Sequence, residues 1–135
     1  MREILFKAKR KDNGEWIEGY YYKRIQGGKV VDAIEKYNGN IGSIEYYEID
    51  PETIWQFTGL LDKNGNKIWE HDICSTDLER PYSIVVFRNG CFMYELNDGD
   101  KDYFDIMMPI EPLVDSDKYT EVIGNVFDNP ELLSK

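Results

Sequence analysis

Four Asn-Gly pairs and one Asp-Gly pair constrain this chain more than any other feature. They are Asn13-Gly14, Asn38-Gly39, Asn64-Gly65, Asn89-Gly90 and Asp98-Gly99. Asn, Asp and Gly tolerate the positive φ that tight hairpin turns need to match strand twist. The flanks read as strands: Ile4–Lys9 leads into the first turn and Trp16–Tyr22 follows it, while Ser83–Phe87 and Cys91–Leu96 flank the fourth. Two hairpins are therefore predicted, Met1–Lys11 with Glu15–Lys23 and Tyr82–Arg88 with Cys91–Asn97. Aromatic residues make up 14% of the chain, with ten Tyr, six Phe and three Trp, which also favours strands.

Helix signals are confined to single turns. Asp50-Pro51-Glu52-Thr53 can cap one, because Asp accepts free N–H groups and Pro suits the first helical position. Asn129-Pro130-Glu131-Leu132-Leu133 repeats that logic. No 12-residue window carries an apolar stripe of helical period. The predicted class is mainly β: an N-terminal β-meander over 1–50, an SH3-like β-barrel over 51–128, and a short turn or tail over 129–135. The boundary near 37–50 is marked by Gly39, Gly42, Asp50-Pro51 and a change of charge. At 135 residues the chain is long enough to bury about two-thirds of its unfolded surface.

Charge is unevenly spread. Residues 1–36 hold nine Lys/Arg and six Asp/Glu, net +3, whereas 37–135 hold seven and twenty, net −13. The acidic majority repels phosphate backbones and disfavours general nucleic-acid binding. Lys7, Lys9 and Lys11 are candidates for a local phosphate contact, and strand alternation puts them on one face with Arg10 on the other. A solvated face is the simpler reading of that cluster. The two cysteines, Cys74 and Cys91, sit among apolar and β-branched neighbours and are expected to be free thiols. No apolar run approaches a membrane span, and the N-terminal residues show no signal peptide, so a cytoplasmic location is expected.

Chemistry-bearing motifs are sparse. The single histidine, His71, stands between Glu70 and Asp72; in a strand the two carboxylates would share the side that His71 leaves, so no base is assembled. Alternating carboxylates over Asp98–Asp105 resemble the start of a calcium loop, but Tyr103 stands where its glycine belongs and Pro109 where its bidentate Glu belongs. Gly27-Gly28 has no phosphate-loop context, and no Cys/His spacing suits a metal. No catalytic residue, metal ligand or cofactor is expected. Tyr20-Tyr21-Tyr22 and Tyr46-Tyr47 place rings on both faces of their strands, so one face has a partner besides the core. Tyr20, Tyr22, Tyr46 and Tyr47 are the candidate interaction surface.

Three blocks in order carry a resemblance. They are Asp50-Pro51-Glu52-Thr53-Ile54-Trp55-Gln56-Phe57-Thr58-Gly59-Leu60, then Asp62-Lys63-Asn64-Gly65-Asn66-Lys67-Ile68-Trp69-Glu70-His71-Asp72-Ile73, and finally Glu121–Leu133. With the opening Met1–Ala8, they resemble the YopX-like family of phage and prophage proteins over essentially the whole chain. The resemblance implies a small β protein with an SH3-like C-terminal part and no catalytic residues to carry over. His71 departs from it, since the family commonly has Gly in a Glu-Gly-Asp turn; a side chain there implies a strained positive φ or a different turn.

Together these readings lead to a non-enzymatic, phage- or prophage-encoded cytoplasmic protein acting through protein contacts. Its expected partners are further copies of itself and a host or phage protein, with no membrane. The alternatives are an SH3-like nucleic-acid-associated protein using the basic N-terminal strand, and an acidic DNA mimic that inhibits a host enzyme.

Overall fold

In a computed structural model the described residues are 3–75, 82–97, 106–109 and 116–133. They are mainly β, in antiparallel sheets, and they divide into two units, Met1–Phe57 and Thr58–Lys135.

The first unit begins with the predicted hairpin. Strand β1 (Phe6–Lys9) pairs with β2 (Trp16–Gln26) in the register Phe6↔Gly19 and Ala8↔Ile17. Gly14 closes the connection at φ 72, and its N–H donates to the Arg10 carbonyl at 2.9 Å. β2 continues to a turn that the reading of Gly27-Gly28 did not anticipate. Both glycines have positive φ, 58 and 79, so two residues suffice to return the chain as β3 (Lys29–Asn38). A four-residue connection, residues 39–42, follows Asn38 and leads to β4 (Ser43–Glu48). Here Gly42, not Gly39, takes the positive φ.

The Asp50 turn forms as the sequence predicts. Pro51–Thr53 is one 3-10 turn, and the Asp50 carboxylate accepts the Glu52 N–H at 3.1 Å. Thr53 is buried and ties the turn back to β1 by accepting the Lys9 N–H on its hydroxyl oxygen at 2.8 Å. Strand β5 (Trp55–Leu61) starts in this unit and pairs there with β1, through Phe6↔Gln56 and Lys7↔Trp55. The strand order is β4-β3-β2-β1-β5, which leaves β4 at an edge. One face is closed by Ala8, Ile17, Ile34 and Ile49, with Phe6, Tyr21, Tyr47 and Ile54 packed around them. Each fully buried aliphatic side chain of this kind stabilises the fold by about 1.5–3 kcal/mol.

In the second unit the remainder of β5 turns through Asp62–Asn66 into β6 (Lys67–Trp69). A five-stranded antiparallel sheet follows, ordered β10 (Ile106–Pro109), β9 (Cys91–Asn97), β8 (Tyr82–Arg88), β7 (Asp72–Ser75) and β11 (Glu121–Asn125). The predicted β8–β9 hairpin is present in the register Arg88↔Cys91, with Asn89 and Gly90 both at positive φ. Among the described residues β10 and β11 are unpaired edges of the sheet, so the expected SH3-like barrel is not closed there. The core is Ile68, Cys74, Val85 and Tyr94, with Leu60, Phe92 and Val122 against it. Among the described residues of this unit, helix is limited to α1 (Ser116–Tyr119) and a 3-10 turn, Pro130–Leu133. No helix of the described residues is long and apolar enough to cross a membrane.

Candidate interaction face of the first unit

Register decides which side chains share a face, because directly opposed residues in an antiparallel pair point the same way. The pairs Lys7↔Glu18, Lys9↔Trp16, Lys7↔Trp55, Tyr20↔Glu35, Tyr22↔Ala33, Glu35↔Tyr46 and Tyr37↔Ile44 all lie on the face opposite the core. The structure thus brings together five of the seven candidates: Tyr20, Tyr22, Tyr46, Lys7 and Lys9. Tyr47 lies on the core face, half-buried, where its hydroxyl donates to the Glu45 carboxylate. Lys11, beyond the end of β1, has its ammonium 3.0 Å from Glu48.

The face has two regions. In the first, Trp16 and Trp55 pack at a tilt of 42° with centroids 4.8 Å apart, and Lys7 lies 4.7 Å from the Trp16 ring and 5.6 Å from Trp55. Lys9 approaches Trp16 at 5.2 Å. Each such cation–aromatic contact contributes about 0.5–1 kcal/mol at a surface. In the second, the Arg24 guanidinium lies 3.4 Å over Tyr46 and its Nη1 is 3.4 Å from the Tyr22 hydroxyl. The Tyr22 hydroxyl, and Tyr46 beside it, hold the guanidinium above its ordinary pKa. Tyr46 itself is exposed by 47%, and beyond this group Tyr20, Tyr37 and Ile44 are exposed by 59%, 64% and 60%.

The opposite face carries a cleft of about 490 Å³ whose lining includes Arg10, Ile17, Lys36, Asn38, Glu45 and Tyr47. Its Arg10 and Glu45 are already matched. Arg10 makes two bonds to Asp12, at 2.9 and 2.6 Å, and stacks 4.1 Å from Tyr47. The Tyr47 hydroxyl, with the Asn38 amide, draws the Glu45 carboxyl below its usual range.

His71 is in the turn between β6 and β7, so the strand alternation expected across Glu70-His71-Asp72 does not hold. Glu70 lies beside His71, with 3.7 Å between Oε2 and Nε2. His71 takes the positive φ, 70, that a glycine would adopt freely, and is held there by N–H donation to Val85 and acceptance from Val126. Asp98–Asp105 lies outside the described residues. Among the described residues no group of three His, Cys, Asp or Glu side chains is placed to hold a metal. The resemblance blocks contain fold-making contacts that composition did not expose. Buried Asp62 accepts the N–H groups of Asn64, Asn66 and Val122, and Asp72 accepts the Trp69 N–H at 2.8 Å.

Comparison with known proteins agrees with the YopX-like resemblance. The fold is similar to the crystal structure of protein EF1440 from Enterococcus faecalis, with a TM-score of 0.56 and 23% identity. That match covers 98% of this chain and 99% of the other. No curated protein matches. The YopX protein family matches residues 5–134, and the chain belongs to that family.

Proposed function

We propose that this is a non-enzymatic, phage- or prophage-encoded cytoplasmic protein that acts through protein contacts and associates with copies of itself. The observation that carries the reading is the row Tyr20–Glu35–Tyr46, both of its rings exposed, beside exposed Tyr37 and Ile44 on the first unit. A contiguous aromatic patch of this kind, rimmed by charge, marks interaction surfaces on soluble proteins. Charge supports a second copy as the occupant. The first unit holds nine Lys/Arg against ten Asp/Glu, net −1, while the second holds seven against sixteen, net −9. Within the face, Lys7, Lys9 and Arg24 intermingle with Glu18, Glu35 and Glu48. It is therefore where one acidic chain meets another with least repulsion. The non-enzymatic part rests on the lone histidine and the lack of a nucleophile motif in the sequence. The cytoplasmic part rests on the two free thiols, Cys74 and Cys91.

The test is light scattering on the eluting protein across a concentration series. Wild type should exceed the monomer mass, and Tyr37→Ser with Tyr46→Ser should return it to the monomer. A wild type that is monomeric at tens of micromolar overturns the self-association reading. The nucleic-acid alternative is less favoured, since Lys7 and Lys9 lie over Trp16 and Lys11 lies on Glu48.

A further inference from the structure

We infer that the self-association runs through the free edge of β4, two copies pairing antiparallel about a two-fold axis at Ile44; this rests on the self-association proposed above and specifies its seam. β4 is the last strand of its sheet. Along a strand the backbone N–H and C=O groups alternate sides. The Ile49 N–H donates inward to Asp32 on the β3 side, at 3.1 Å, while the Glu48 carbonyl faces outward and accepts from the Lys11 N–H at 3.0 Å. By alternation, Ile44 and Tyr46 share the outward side of Glu48. The 9–11 segment covers only the Glu48 end, through that bond and the Arg10↔Ile49 bridge. The remaining edge presents the backbone groups of Ile44 and Tyr46 to any strand that can match them.

Three centres are available to an antiparallel two-fold pair. Centred on Glu45, the pairing sets two like carboxylates directly opposite, which is unfavourable. Centred on Tyr46, it needs Ile44 of the second copy beside Glu48, where the 9–11 segment already lies along the edge. Centred on Ile44, it lets the two Ile44 residues exchange N–H···O bonds. The side chains then form one apolar row across the seam: Tyr37 and Ile44 of one copy, Ile44 and Tyr37 of the second, all in the register already set by Tyr37↔Ile44. Tyr46 falls opposite Gly42 of the second copy, whose lack of a side chain leaves room for the ring. The Gly42 N–H already donates to the Asn38 carbonyl at 2.9 Å, so the N–H bonds of the seam centre on the Ile44 pair. Ser43 falls opposite Glu45. The surface is self-complementary, as a two-fold contact requires.

The test is a cross-linking and charge-insertion pair in a Cys91→Ser background. Hydrogen-bonded antiparallel partners have Cα atoms about 5.5 Å apart, within the range a disulfide spans. Ile44→Cys should therefore form a disulfide-linked dimer on mild oxidation far faster than Val30→Cys, an equally exposed site at another hairpin tip. Ile44→Lys, which changes only an exposed side chain, should elute as monomer with an unchanged Tm. If wild type associates but Ile44→Cys cross-links no faster than Val30→Cys, or Ile44→Lys stays associated, the edge seam is wrong while self-association stands. If wild type is monomeric, both fall.

Discussion

The Asp62 carboxylate accepts the backbone N–H of Val122 at 2.9 Å, joining the β5–β6 turn to β11 across sixty positions of chain. The same group accepts the Asn66 N–H at 2.8 Å and the Asn64 N–H at 2.9 Å while only 1% exposed. Burial opposes its charge, but the amides of Val122, Asn66 and Asn64 outweigh that and hold its carboxyl below the usual range.

Replacing this group should be costly. Asp62→Ala leaves three N–H groups without their acceptor and is expected to lower stability by about 3 kcal/mol. Urea unfolding at neutral pH reads the loss directly.

The same carboxylate makes stability depend on pH. Its folded pKa is depressed, so the stabilisation is fully present above the unfolded value of about 3.9 and is lost as pH falls through the folded value. Unfolding midpoints of wild type and Asp62→Asn should converge as pH drops below 4. A constant difference down to pH 2 would assign the effect to packing instead.

Gly19 should resist any side chain. A Cβ there would lie 2.3 Å from the Glu35 carbonyl oxygen and 2.7 Å from Ile34. Backbone cannot yield as a flexible side chain does, so Gly19→Ala is expected to cost about 2 kcal/mol or more by thermal or chemical denaturation.

His71→Gly should stabilise. At φ 70 a side chain clashes with its own backbone, and glycine removes that penalty while leaving the Val85 and Val126 hydrogen bonds in place. Because glycine also loses more entropy on folding, the net gain is about 0.5–1 kcal/mol. A fall in Tm would mean that contacts of the imidazole outweigh its backbone strain.

The thiols should differ in reactivity. Cys74 is fully buried, and burial pushes its pKa well up, whereas Cys91 is half-exposed in β9. A colourimetric thiol reagent should titrate one group rapidly in the native protein, and Cys91→Ser should abolish that phase.

What the sequence by itself determined was local. Asn13-Gly14 and Asn89-Gly90 mark hairpins because the φ preference of a turn resides in the turn residues, and Asp50-Pro51 marks a capped turn for the same reason. Gly27-Gly28 carried that signal too and makes the tightest turn of the first unit. Tertiary structure decided everything that depends on partners far along the chain. Strand alternation predicted that Lys7 and Lys9 share a face, but only the pairing Lys7↔Trp55 set them over a tryptophan pair. His71 broke the alternation because its turn follows from long-range bonds to Val85 and Val126. That Asp62 clamps Val122, and that β4 ends its sheet with Ile44 facing outward, follow from which strands become neighbours. Neighbour choice is a sum over many weak non-local contacts, whereas a turn is encoded in two residues.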